Sequence, residues 1–323
     1  MNTRRFIVGA AACLALAGHG TQAQDKYPGK PIRIISPHQA GSTTETFGRM
    51  MTVDMGELLG QPIVIEARPG AAGTIGAREV AHSRPDGYTG LMNASIQVMY
   101  PGMFKQLPFD AQKDFAPVGI FGFAPMVLVV GAGSGITSFQ GLLEQARTAP
   151  GKLSFASGGL GSLPHLVGEL VNLKAGVKIS HVPYNGTGQA LTDVIGGHID
   201  VLYASVASAA PLIQSGKLRA LAVTSARRVE LLPQVPTIDE QGIPGFDVTS
   251  WYALWLPKGT PAGVVTTLNQ SMRDATRKPA VQARMRDNGV IPSQLTAEEF
   301  SRFAAQEGEK WLAVMKQAGI QPN

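Results

Sequence analysis

Along this chain the spacing of apolar positions switches repeatedly between the two-residue period of strands and the 3.6-residue period of helices. Pro31-Ile32-Arg33-Ile34-Ile35 reads as a strand. After a turn-rich stretch, His38 to Thr44, the residues Thr46, Phe47, Met50, Met51 and Met55 recur at helical spacing. Ile63-Val64-Ile65-Glu66 predicts a second strand, followed by the glycine-rich Arg68 to Gly76 and a helix over 77–82. A third strand is expected over 89–92. Strands alternating with helices predict a parallel α/β sheet.

The pattern then changes. Residues 118–123 and 126–130 are continuous apolar runs, as expected of two buried strands. A helix is expected over 138–148 and a strand over 153–156. Next comes a Gly/Ser-rich loop, Ser157 to Leu163, which opens a helix near Pro164. Strands over 179–182, 200–203 and 218–223 and a helix over 190–195 continue the alternation. Val248 to Leu256 is strand-like and carries Trp251, Tyr252 and Trp255, a cluster that suits either core or a ligand cleft. The end is helical, over 262–277, 280–288 and 297–318.

One α/β block is therefore followed by another, and then by helices without a sheet of their own. The economical arrangement returns those helices to the first block. The chain then crosses between blocks near residues 118–130 and 248–257, and two crossing strands make a hinge suited to a clamshell. The expected division is residues 24–122 with 250–323 as domain I and residues 123–249 as domain II, with a ligand cleft between them.

The N-terminus changes the compartment. Arg4 and Arg5 precede an apolar run, Phe6 to Ala17, and small residues close the segment at Thr21-Gln22-Ala23. This is the order of a cleavable signal peptide over residues 1–23, and the run is too short for a permanent span. Cys13, the only cysteine, falls inside it, so the mature chain has no thiol for a disulfide, a zinc site or a nucleophile. The formal charge of +5 falls to +3 without Arg4 and Arg5. The remaining basic residues are interleaved with acids, and no nucleic-acid patch is present.

Two loops carry the candidate chemistry. His38 to Thr44 and Ser157 to Ser162 each follow a strand, precede a helix and are rich in Gly, Ser and Thr. A helix N-terminus presents unpaired N–H groups and the positive end of the dipole to an anion. Facing each other, the two loops would hold one carboxylate from both sides. Each alone also reads as an ordinary tight turn with an N-cap. Catalytic patterns are missing: there is no G-x-S-x-G elbow, no phosphate loop and no metal spacing among the histidines. No catalytic residue, metal or cofactor is expected. Ser162, His165 and Asp200 can be drawn as a triad, but an N-cap and a first-turn residue explain Ser162 and His165 more simply. Asn185-Gly186-Thr187 matches a glycosylation acceptor and is read instead as part of a turn.

Several separate motifs resemble the extracytoplasmic solute receptors of tripartite tricarboxylate transporters, the Bug proteins. They are Ile32 to Arg49, Glu66 to Gly76, Pro85 to Thr89, Lys113 to Val118, Pro183 to Gly188, Gly216 to Thr224, Val235-Pro236-Thr237 and Trp251. The resemblance covers the mature chain in order. It implies a two-domain periplasmic binding-protein fold of clamshell type. It also implies a periplasmic monomer that binds an organic carboxylate and docks to membrane permease subunits, with no nucleic acid involved. Carried over, the ligand residues are His38, Gln39, Ala40, Ser42, Thr43 and Thr44 in the first loop, and Ser157, Gly158, Gly161, Ser162 and His165 in the second. Asn93 and Ser95 after the third strand, and Ala204 and Ser205 after the strand at 200–203, join them. The first loop departs from the family pattern: Ser42 replaces a glycine, Glu45 an aspartate, and His38 and Gln39 are unusually polar. Those two are therefore expected to read a distal polar group on the ligand. A ligand sensor for a kinase and a secreted hydrolase using Ser162 and His165 are the competing readings.

Overall fold

The structure is a computed structural model that describes residues 27–184 and 186–322. The segment expected to be a signal peptide, and Asn185 of the acceptor motif, lie outside the described residues.

In chain order the first strand–helix units are β1 (Ile32–Ser36), α1 (Thr43–Leu59), β2 (Ile63–Ala67), α2 (Thr74–Ala81), β3 (Thr89–Ala94) and α3 (Ile96–Met103). The long strand β4 (Phe115–Gly131) follows. Next come α4 (Phe139–Thr148), β5 (Ser154–Ser157), α5 (Leu163–Ala175), β6 (Ser180–Pro183), α6 (Thr187–Ile195), β7 (Val201–Ser205), α7 (Val206–Gln214) and β8 (Leu218–Val223). The chain ends with β9 (Thr249–Pro257), α8 (Ala262–Arg277), α9 (Pro279–Asp287), β10 (Ile291–Pro292) and α10 (Ala297–Gln317).

The sheet runs β2-β1-β3-β9-β4-β7-β5-β6, with β8 and β10 also paired to β4. β4 corrects the expectation of two separate strands over 118–123 and 126–130, because it is continuous. It pairs with β9 from Phe115 to Pro125 and with β7 and β8 from Met126 onward. One strand thus belongs to both halves of the sheet.

Strand directions decide where a ligand can sit. β1, β2 and β3 are parallel, β9 is antiparallel to β3, and β4 is antiparallel to β9, so β4 points the same way as β3. β7 is antiparallel to β4, and β5 and β6 are parallel to β7. The C-terminal ends of β1–β3 therefore point toward the C-terminal ends of β5–β7. Ala94 is level with Tyr252, and Tyr252 with Gly122, while Ser205 is level with Met126. Four residues of β4, about 13 Å, separate the two strand ends along the sheet.

Apolar faces close the halves. Ile32, Ile34, Met51, Met55, Leu254 and Met272 are buried between the β1–β3 side and α1 and α8. Trp251, Tyr252 and Trp255 are all buried, so the aromatic cluster is core. α8 packs on α1 and β4, as the return of the last helices requires. α10 departs from that expectation: it packs on α3 and also reaches α5, touching both halves. Among the described residues, no helix is long and apolar enough to cross a membrane.

Candidate functional site

The first loop leaves β1 at Ser36 and is closed by its own side chains. Gly41 has φ 77°, a left-handed conformation that a side chain disfavours, and this turns the chain into α1. Ser42 is the N-cap, and its Oγ accepts from the Glu45 N–H at 3.4 Å. Glu45 reaches back to accept from the Gly41 N–H at 2.9 Å and from Arg49 Nε at 2.7 Å. The Arg49 guanidinium, with the Gly41 N–H, holds its carboxyl below the ordinary range. The glutamate thus braces the loop from behind. Gln39, Ala40 and Thr43 are exposed at the C-terminal end of the sheet, Ser42 is half-buried and Thr44 buried.

His38 is held by a buried polar chain. Its Nε2 lies 3.2 Å from Asn93 Oδ1. The Asn93 amide donates to Gln97 Oε1 at 3.0 Å and to Tyr100 OH at 3.2 Å, and Tyr100 OH donates to the Ala72 carbonyl at 3.0 Å. Burial lowers the pKa of His38, partly offset by Asn93, so the ring is neutral at pH 7. Asn93 is fully buried, and its polar atoms serve His38, the Ala94 N–H at the end of β3, and Gln97 and Tyr100 of α3.

The second loop has its own scaffold. Ser162 stands at the N-cap position of α5, and its Oγ donates to the Gly159 carbonyl at 2.7 Å. Gly161, at φ 71°, donates its N–H to His165 Nδ1 at 3.0 Å. Ser157 Oγ lies 2.6 Å from His181 Nε2 and accepts from the Gly159 N–H at 3.2 Å. The two imidazoles stack at 3.8 Å and Phe155 lies against both. Burial pushes each ring down to about 4, and His165 adds repulsion on His181. Gly158 is exposed at the loop's tip.

The drawn triad does not assemble. Asp200 accepts from the N–H and hydroxyl of Ser154, both at 2.8 Å, and Ser162 is bonded to a carbonyl rather than to His165. Among the described residues, no group of three or more His, Cys, Asp or Glu side chains is placed to hold a metal ion.

Two further expected residues sit at strand ends. Ser95 follows β3, buried, with its N–H on the Trp251 carbonyl at 2.9 Å. Ser205 ends β7 and caps α7, accepting from the Ser208 N–H at 3.3 Å, next to the buried Ala204. Every expected residue thus lies at the C-terminal end of β1, β3, β5 or β7 or in the helix turn that follows. Sequence reading missed His181, Tyr100, Gln97 and Glu169. For Gln97 and Tyr100 a signal was available: they lie four and seven residues after Asn93, on one side of a short helix.

This arrangement puts helix N-termini at the carboxyl ends of two opposed sets of parallel strands in the sheet, a place where α/β folds bind ligands. Residues 47–320 match the family described as the tripartite tricarboxylate transporter family receptor. The chain belongs to this receptor family. It is 34% identical to Protein BugT of Bordetella pertussis over 322 residues, covering 99% of each chain. It superposes on R. palustris Rpa4515 with adipate at a TM-score of 0.81 and 32% identity, over 92% of this chain and 100% of that one. MatC from Rhodopseudomonas palustris, with bound malate, gives 0.74 at 30% identity over 89% and 99%. The receptor has the fold of periplasmic binding proteins. Its family is one of periplasmic solute-binding proteins, not of enzymes.

Proposed function

We propose that this receptor captures a small organic carboxylate, with one to three carboxyl groups, between its two loops. It closes over the ligand and delivers it to the membrane permease subunits of a tripartite tricarboxylate-type transporter. The observation that carries this reading is the opposition of α1 and α5. Both N-termini lie at the facing carboxyl ends of the sheets, with Ser42, Thr43 and Thr44 on one side and Gly158 and Ser162 on the other. Adipate with Rpa4515 and malate with MatC support a carboxylate. Residues 24–122 with 250–323 form one lobe and residues 123–249 the other, and residues 1–23 direct export.

In this reading Ser157 and Gly161 shape the second loop, while Asn93 acts through His38. Ser95, Ala204 and Ser205 flank the ligand. His38 and Gln39 read its polar groups. A thermal-shift panel of aliphatic and aromatic mono-, di- and tricarboxylates tests the assignment. A ligand at 100 times its Kd should add about 2.7 kcal/mol of stability. Stabilisation by neutral solutes alone would remove the carboxylate claim. Unchanged affinities in His38→Ala and Gln39→Ala would remove the selectivity claim.

A further inference from the structure

Beside the second loop lies a cavity of about 510 Å³. Its walls come from the glycine-rich loop after β2, the end of α3, the start of α5 and the residues after α10. Met103, Phe104, Leu160 and Ile320 give it an apolar body, and His165 and Glu169 are among its polar groups. Leu160 and Gly161 belong both to the cavity wall and to the second loop, so this space adjoins that loop.

The two polar groups are unusually matched. His165 Nδ1 accepts from the Gly161 N–H, so the proton of the neutral ring sits on Nε2. That Nε2 lies 3.8 Å from Glu169 Oε1, beyond hydrogen-bond length. The other carboxylate oxygen, Oε2, accepts from Asn172 Nδ2 at 3.3 Å. A donor and an acceptor thus face one space, too far apart to satisfy each other. A hydroxyl accepts one hydrogen bond while donating another, and so completes both groups. A second carboxylate would bring like charge against Glu169.

Resting on the carboxylate reading above, we infer that the cavity receives the distal end of the ligand, and that this end carries a hydroxyl bridging His165 Nε2 and Glu169 Oε1. Ser162 lies three residues before His165 and seven before Glu169 on α5, about 4.5–10 Å along a helix. The ligand is therefore a hydroxycarboxylate whose apolar body spans that length, an ω-hydroxy aliphatic acid or a para-hydroxy aromatic one.

Calorimetric titration of the mature chain tests this with two series. These are 6-hydroxyhexanoate, hexanoate and adipate, and 4-hydroxybenzoate, benzoate and terephthalate. In at least one series the hydroxy acid should bind about tenfold tighter than the unsubstituted acid and the diacid, the scale of one buried hydrogen bond. Glu169→Gln should narrow the gap between diacid and hydroxy acid several-fold. Glu169→Ala should abolish the preference for the hydroxy acid over the unsubstituted acid. Unliganded melting curves of both variants establish that they are folded. A diacid binding as tightly as the hydroxy acid to the unmodified protein, or unchanged ratios in both variants, overturns the inference. So does a different carboxylate binding while all six fail. If no carboxylate of any kind binds, the carboxylate reading falls with it.

Discussion

Gly168 shows how tightly the support of the second loop is packed. A Cβ there would lie 2.3 Å from Phe155 Cε2. The Phe155 ring has little room to retreat, because it lies against His165 and His181 and meets Tyr203 edge-on. Gly168→Ala is expected to cost about 1–3 kcal/mol, the usual scale of overpacking. Urea unfolding checks it, and an unchanged midpoint would mean that the ring can move. The two imidazoles also set a pH dependence. Each titrates near 4 when folded, against an ordinary 6.5. The unfolded chain therefore binds more protons between those values, so stability declines as pH falls from about 6.5 toward about 4 and is full above that window. His181→Gln keeps a polar side chain beside Ser157 Oγ but cannot titrate, and the decline should be shallower in that variant. Equal slopes for the two proteins would refute the assignment. His165 stood out in the sequence because it follows the loop. His181 did not, because only the pairing of β5 with β6 brings it level with Phe155.

Among the elements, α10 begins most firmly. The Thr296 side chain accepts from the Glu299 N–H at 3.2 Å, and the Glu299 carboxylate accepts from the Thr296 N–H at 2.8 Å. Thr296→Ala removes half of this reciprocal cap and should cost about 1 kcal/mol of unfolding free energy. A cost of zero would mean that packing of Phe300 and Trp311 alone fixes the helix start. Helices with a clean apolar stripe, such as α1 and α10, were legible in the sequence. α3 and α7 were not, since each is short and contains a proline, Pro101 and Pro211. Pro125 interrupts the apolar run of β4, so the sequence there reads as two strands. Pro125 is tolerated because it stands where pairing with β9 ends and pairing with β7 begins at Met126.

For the whole molecule, the alternation of units made the two-block architecture legible. The facing of the two loops was not legible, because it follows from strand directions fixed by long-range pairing. The proposed closure predicts a measurable change in shape. Cys13 is the only cysteine and lies in the segment expected to be removed, so introduced cysteines can be labelled specifically. Val53 is 69% exposed on α1 and Leu173 is 39% exposed on α5. Dyes at Val53→Cys and Leu173→Cys should report a shorter separation as carboxylate is added, with a midpoint equal to the Kd. Saturating ligand without any change in transfer would argue against closure.

The place of β9 also bears on how the protein is made. It lies between β3 and β4, yet it is synthesised more than 100 residues after them. The strands β5 to β8 and their share of β4 are complete by residue 223. The second half can therefore fold early and locally, whereas β3 and the first part of β4 wait with unpaired edges until residue 257 emerges. During that wait the exposed strands are open to pairing with other chains. A chain ending at residue 248 should consequently retain a protease-resistant fragment from the second half and aggregate through the first.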